Sequence, residues 1–159
     1  MTGGLQVYGL LAALAIALLG AAISDLRTRL IHNWLTFGIA AAAPLYWWAS
    51  GLSLWPGVGA QLALGLAAFA VLAGLFAAGA MGGGDVKLLA ALALWLPWQP
   101  FLELVLIMAL LGGVLTLGFA VRHPARHSGK LEIPYGVAIA GAGLWVIAGM
   151  YGPVAPALG

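Results

Sequence analysis

Six apolar runs, at about 5–23, 34–49, 58–80, 86–97, 101–121 and 134–151, alternate with short joints that are polar or carry proline and glycine. Each run predicts a helix. A hydrocarbon core about 30 Å thick asks for about 20 residues per crossing, so the run at 86–97 is short for a span. The distribution of charge favours counting it. If all six helices cross, the joints 24–33, 81–87 and 121–133 share one face. They contain Arg27, Arg29, Lys87, Arg122, Arg126 and Lys130, which are all the lysines and arginines of the chain. The opposite joints, "GLSLWPG" and "PWQP", and both termini carry no charged side chain. The positive-inside rule then predicts six transmembrane helices with the basic face in the cytoplasm and both termini outside it. Were the fourth run not to cross, the basic cluster at 122–130 would lie on the other side. Tyr46, Trp47, Trp48, Trp55, Trp95, Trp98 and Tyr151 fall at the outer ends of the runs, where an interfacial aromatic belt is expected.

Composition sharpens this picture. Of 159 residues, 64% are hydrophobic and only 6% charged, against about 25% charged in a soluble domain. The mean hydropathy is +1.10. The expected fold is therefore an all-α integral membrane protein, a single polytopic domain over 1–159. The first run lacks a basic segment before it and is long enough to span, so it reads as a retained helix and not a cleaved signal. The absence of cysteine excludes disulfides, thiolate metal sites and thiol nucleophiles. A net charge of +2 gives no basis for binding nucleic acid.

The chain has four acids, and two of them, Asp25 and Asp85, fall sixty positions apart on the same predicted face. Asp25 ends the first helix and Asp85 opens the fourth. With Pro97 as the outer end, twelve residues at 1.5 Å rise put Asp85 about 18 Å inward, short of the inner edge of the core. A carboxylate at that depth costs about 2.5–3.5 kcal/mol on insertion scales, so it belongs against protein or a watered recess and marks a candidate functional site. Gly82, Gly83 and Gly84 precede it. Without side chains they permit unusual dihedrals and the close approach of another chain, which suits a peptide substrate. Two carboxyls within hydrogen-bond range in low dielectric share a proton. One then acts as base on a water while the other donates to the scissile carbonyl, with no metal or cofactor required. The alternative is that each aspartate caps a helix end or pairs with Arg27, Arg29 or Lys87.

These residues carry a resemblance. "GGGDVKL", Gly82 to Leu88, resembles the G-x-G-D signature of type IV prepilin peptidases and archaeal preflagellin peptidases, and "DLRTRLIHNWLT" is similar to the segment around their first catalytic aspartate. "IPYGVAIAGAG", from Ile133, resembles the motif of their last helix. Ile31, His32 and Asn33 stand where the family commonly shows Ile-Pro-Asn. The resemblance implies a six-helix aspartyl endopeptidase of a prokaryotic inner membrane. It implies Asp25 and Asp85 as the catalytic pair, a pilin-like precursor as substrate, and cleavage of a short basic leader at the cytoplasmic face. Longer members carry an extra cytoplasmic segment, often with paired cysteines, and methylate the new pilin N-terminus. This chain has neither feature and resembles the short peptidases of tight-adherence pilus systems, which gives no ground for methyltransferase activity.

The remaining polar residues read less sharply. Lys87, two positions past Asp85, points about 200° away from it on a helix, toward substrate, a lipid phosphate or, by snorkelling, the interface. Its substrate-binding role stands with that of the three glycines. His32 reads as a solvated turn residue or as a group titrating near neutrality. His123 and His127 have i, i+4 spacing, but Pro124 between them favours a charged loop over a metal site. Glu103 is expected to reach the outer interface and Glu132 to pair with Lys130. Gly112, Gly113, Gly118, Gly141 and Gly143 read as close helix contacts. Two other function classes compete: a small proton- or ion-coupled transporter, which predicts acids spread through the membrane depth, and a structural assembly subunit, which needs neither aspartate.

Overall fold

The computed structural model describes residues 2–122 and 135–151. Six helices appear among them, and no strand: α1 Thr2–Thr28, α2 Asn33–Ala49, α3 Gly59–Ala77, α4 Gly83–Ala93, α5 Trp98–Arg122 and α6 Tyr135–Tyr151. A kinked turn, Leu54–Val58, in which Trp55 has extended dihedrals (φ −137°, ψ 130°), leads into α3. Among the described residues, three stretches are long and apolar enough to cross a bilayer, Gly4–Thr28, Leu54–Ala77 and Trp98–Gly118, and Tyr135–Met150 is a shorter apolar helix. The chain is a multi-pass membrane protein. His123, His127, Glu132, Arg126 and Lys130 lie outside the described residues.

The helices follow the apolar runs with two informative shifts. The first continues past its run to Thr28, which places Asp25 inside the last turns of α1. α4 begins at Gly83 and ends at Ala93, and turns at residues 94–96 bring the chain to Pro97. A proline cannot extend a helix it would have to enter by donating an N–H, and it biases the preceding residue away from helical geometry.

The short helix α4 is the most enclosed element. Val86, Leu88, Leu89, Ala91, Leu92 and Ala93 are all buried, as are Trp95 and Leu96 just beyond. α4 packs on α3 and α2, and also touches α6 and α5, while α1 packs on α6 and α2. An eleven-residue helix ending inside an apolar environment leaves its last carbonyls without internal partners, and no lipid can supply them. Neighbouring side chains do so. Gln61 of α3 donates from Nε2 to the carbonyls of Ala93 (2.8 Å) and Leu96 (2.6 Å). Trp47 of α2 donates from Nε1 to the carbonyl of Leu94 at 2.7 Å. Replacing Gln61 by leucine, of similar size, should therefore cost about 1–3 kcal/mol by stranding two buried acceptors, read as a lowered unfolding midpoint in detergent.

Trp47 and Trp95 are thus buried fasteners and not members of an interfacial belt. Trp95 donates its Nε1–H to the carbonyl of Ile39 at 2.8 Å, and its ring stacks on Tyr46 with centroids 5.1 Å apart. Trp48, Trp55 and Trp98 are exposed, as a belt requires. Of the glycines expected at helix contacts, Gly143 and Gly112 serve as such. A Cβ on Gly143 would meet Leu18 of α1 at 2.8 Å, and one on Gly112 would meet the Tyr135 ring at 2.7 Å. Gly141 makes an ordinary contact with Leu111, whereas Gly113 and Gly118 face open space.

Candidate active site

Asp25 reaches its position through the packing of α1. Leu11, Leu14, Leu18 and Ala21 form the buried stripe of that helix, spaced three and four residues apart, and Asp25 is the next position in the same register. The carboxylate therefore points into the bundle, where the residue is only 6% exposed. α1 stops one turn later. The Arg29 N–H donates to the Asp25 carbonyl at 2.9 Å, and Arg29 takes a left-handed φ of 56°, which turns the chain toward α2.

The first turn of α6 closes over this carboxylate. The amides of Gly136 and Val137, which have no partner within their own helix, are directed at Asp25, and Arg29 adds a favourable charge. A helix N-terminus is a favourable seat for an anion. The approach is so close that a Cβ on Gly136 would lie 2.8 Å from both Cγ and Oδ2 of Asp25. Only glycine fits there without movement. Oδ2 is nevertheless buried without a hydrogen bond from any described residue. An unsatisfied buried carboxylate oxygen is costly and calls for a functional explanation.

Asp85 is presented by a different device. Gly82 is the N-cap of α4 in an extended conformation, and Asp85, three positions later, reaches back to the Gly82 N–H, in the manner of a capping-box acid. A Cβ on Gly82 would meet Asp85 Oδ2 at 2.9 Å. Gly83 admits the Phe76 ring, and Gly84 lies against Ile31, to whose Cβ an added methyl would come within 3.2 Å. Each of the three glycines thus has its own packing reason, and together they dock the start of α4 against α3 and the loop after α1.

The half-buried Asp85 carboxyl is close enough to Asp25 to feel its charge. The two acids are brought together from the C-terminal end of α1 and the N-terminal end of α4. Helix capping by Asp85 and proximity to Asp25 coexist, so the alternative weighed in the sequence is part of the geometry. Lys87 points away, as its helical spacing requires. Its Nζ donates to Asn33 Oδ1 at 2.9 Å, and it heads an apolar cavity of about 500 Å³ between α2, α3 and α4 that also touches Phe37, Leu66 and Phe69. His32 is not merely solvated, because its Nδ1 lies 3.0 Å from Ser24 Oγ. Gly136 and the amide of Val137 were not singled out in the sequence.

Residues 12–117 match the type IV leader peptidase family. Two proteins described as prepilin leader peptidase/N-methyltransferase, from Aeromonas salmonicida strain A449 and Aeromonas hydrophila, are each 32% identical over 154 residues, covering 87% of this chain and 49% of theirs. The chain thus spans about half the length of the curated relatives it matches. No solved structure matches it. With a family match across most of its helices and relatives aligned over most of its length, the chain belongs to the type IV leader peptidase family.

Proposed function

We propose that the protein is an aspartyl endopeptidase that removes the leader of a pilin-like precursor at the cytoplasmic face of a prokaryotic inner membrane. The observation that carries this reading is the proximity of Asp25 and Asp85, close enough for one charge to act on the other, with Asp25 Oδ2 buried without a hydrogen bond from any described residue. Two carboxyls in such an environment hold one proton between them. The ionised member takes a proton from a water, whose oxygen attacks the scissile carbonyl. The protonated member donates to the carbonyl oxygen, and collapse of the tetrahedral intermediate passes a proton to the leaving amine. The chain's family membership and its relatives' descriptions support the same chemistry.

In this reading all six helices cross, both termini lie outside the cytoplasm, and the basic joints flank the site where a leader awaits cutting. Gly82, Gly83 and Gly84 shape the entry to the site and Lys87 holds its rim through Asn33. Both acids lie at one end of the bundle, an arrangement that a proton path through the membrane depth does not require. The test is to reconstitute the protein with a pilin-like precursor and follow the loss of the leader by mass. Release of the leader at one bond, just before the apolar stretch, is the expected result. An intact precursor in the presence of folded protein overturns the reading.

A further inference from the structure

The loop at residues 29–32 joins the helix of one acid to the helix that faces the other, and side-chain bonds centred on Ser24 close it. His32 is the N-cap of α2 but makes no side-chain bond to its own helix. Its ring instead crosses eight residues back to α1, where Nδ1 lies 3.0 Å from Ser24 Oγ. The direction of that bond follows from proton counting. A serine hydroxyl has one hydrogen, and Ser24 Oγ is 2.7 Å from the carbonyl oxygen of Leu30, which can only accept. The hydroxyl hydrogen therefore goes to Leu30, and the hydrogen shared with His32 comes from the imidazole. The ring carries its proton on Nδ1, a requirement met by that neutral tautomer and by the imidazolium alike. Ser24 is thus pinned from two sides by the loop it closes, and Thr28 adds a bond from Oγ1 to the Ser24 carbonyl at 2.9 Å.

Both sides of this clamp lead to a carboxyl. Ser24 directly precedes Asp25. On the other side the loop carries Ile31, buried against Gly84 in the first turn of α4, one residue before Asp85. The next residue, Asn33, holds Lys87 of that same helix. From this chain of contacts we propose that His32, through its Nδ1–H bond to Ser24, is a positioning residue that sets the separation of Asp25 and Asp85. The kinetic part of the proposal rests on the peptidase reading. The geometric part does not.

The chain contains no cysteine, which allows a direct measurement. In an Asp25→Cys/Asp85→Cys background, disulfide formation under mild oxidant reports how often the two positions meet. Adding His32→Leu should slow that rate about tenfold and Ser24→Ala at least as much, since it also removes the bond to the Leu30 carbonyl; combining the two should slow it no further than Ser24→Ala alone, because the serine change already removes the bond to His32. In the otherwise wild-type protein each single change should lower kcat about tenfold with KM within about twofold, since misplacement of reacting groups acts on the chemical step. His32→Asn, whose amide N–H occupies the place of Nδ1–H, should restore both readouts, and His32→Gln, whose donor sits farther out, should not. This last pair keeps the test decisive even if His32→Leu folds poorly. Unchanged disulfide rates in folded Ser24→Ala and His32→Gln proteins overturn the clamp, as do additive losses in the double variant. A clamp seen in disulfide rates alongside a wild-type protein that cuts no precursor overturns the peptidase reading and leaves the geometry standing.

Discussion

Asp25→Asn and Asp85→Asn will each suppress leader release by about 10³-fold or more, the scale of losing a general acid or base. The amide keeps the shape of the side chain but cannot ionise to accept a proton from water, and its N–H is no substitute for a carboxylic acid. Measured by single-turnover cleavage in reconstituted membranes, the loss should appear in kcat. The same substitution at position 25 should leave thermal stability unchanged or raise it. The native carboxylate keeps a buried oxygen without a hydrogen bond from the described residues, and neutralising a costly buried group relieves the fold. Loss of activity with retained or improved stability is the signature expected of groups kept for chemistry. A variant that keeps wild-type cleavage removes that aspartate from the mechanism.

Gly136→Ala carries the second large effect. Its methyl would sit 2.8 Å from Cγ and 3.0 Å from Cβ of Asp25. Neither partner retreats easily, because Asp25 continues the packed stripe of α1 and Gly136 is followed by the buried Ala138, Ile139 and Ala140 of α6. Either the carboxylate rotates away from Asp85 or the start of α6 lifts. The expected result is a fall in kcat of about a hundredfold, as for a misplacement of about 1 Å, with about 1–3 kcal/mol of lost stability from overpacking. Gly113→Ala is the matched control: nothing lies within 4 Å of an added Cβ there, so activity and unfolding midpoint should both hold.

The helices were readable because apolar runs in a membrane chain are bounded by the same prolines, glycines and charges that end helices. The two acids were readable because a carboxylate is expensive in such a setting. Register carries a further signal: Asp25 continues the three-and-four spacing of Leu11, Leu14, Leu18 and Ala21, which marks it as inward-facing. Other features depend on which helix lies against which, and periodicity within one helix does not contain that information. The amides of Gly136 and Val137 reach Asp25 only because α6 packs on α1. Gln61 and Trp47 look like a stray polar residue and a belt aromatic until the carbonyl ends of α4 are found against them. Helix geometry directs Lys87 away from Asp85, yet its bond to Asn33 depends on the docking of α2 on α4.

The seat of the Asp25 carboxylate is completed by a helix that the ribosome delivers more than a hundred residues after it. While the chain is being threaded into the bilayer, both acids are already present but the amides that receive one of them are still unmade. On the peptidase reading, hydrolytic competence arrives with the docking of α6, and a half-synthesised chain, surrounded by other nascent membrane proteins, has no assembled cutting edge to turn on them.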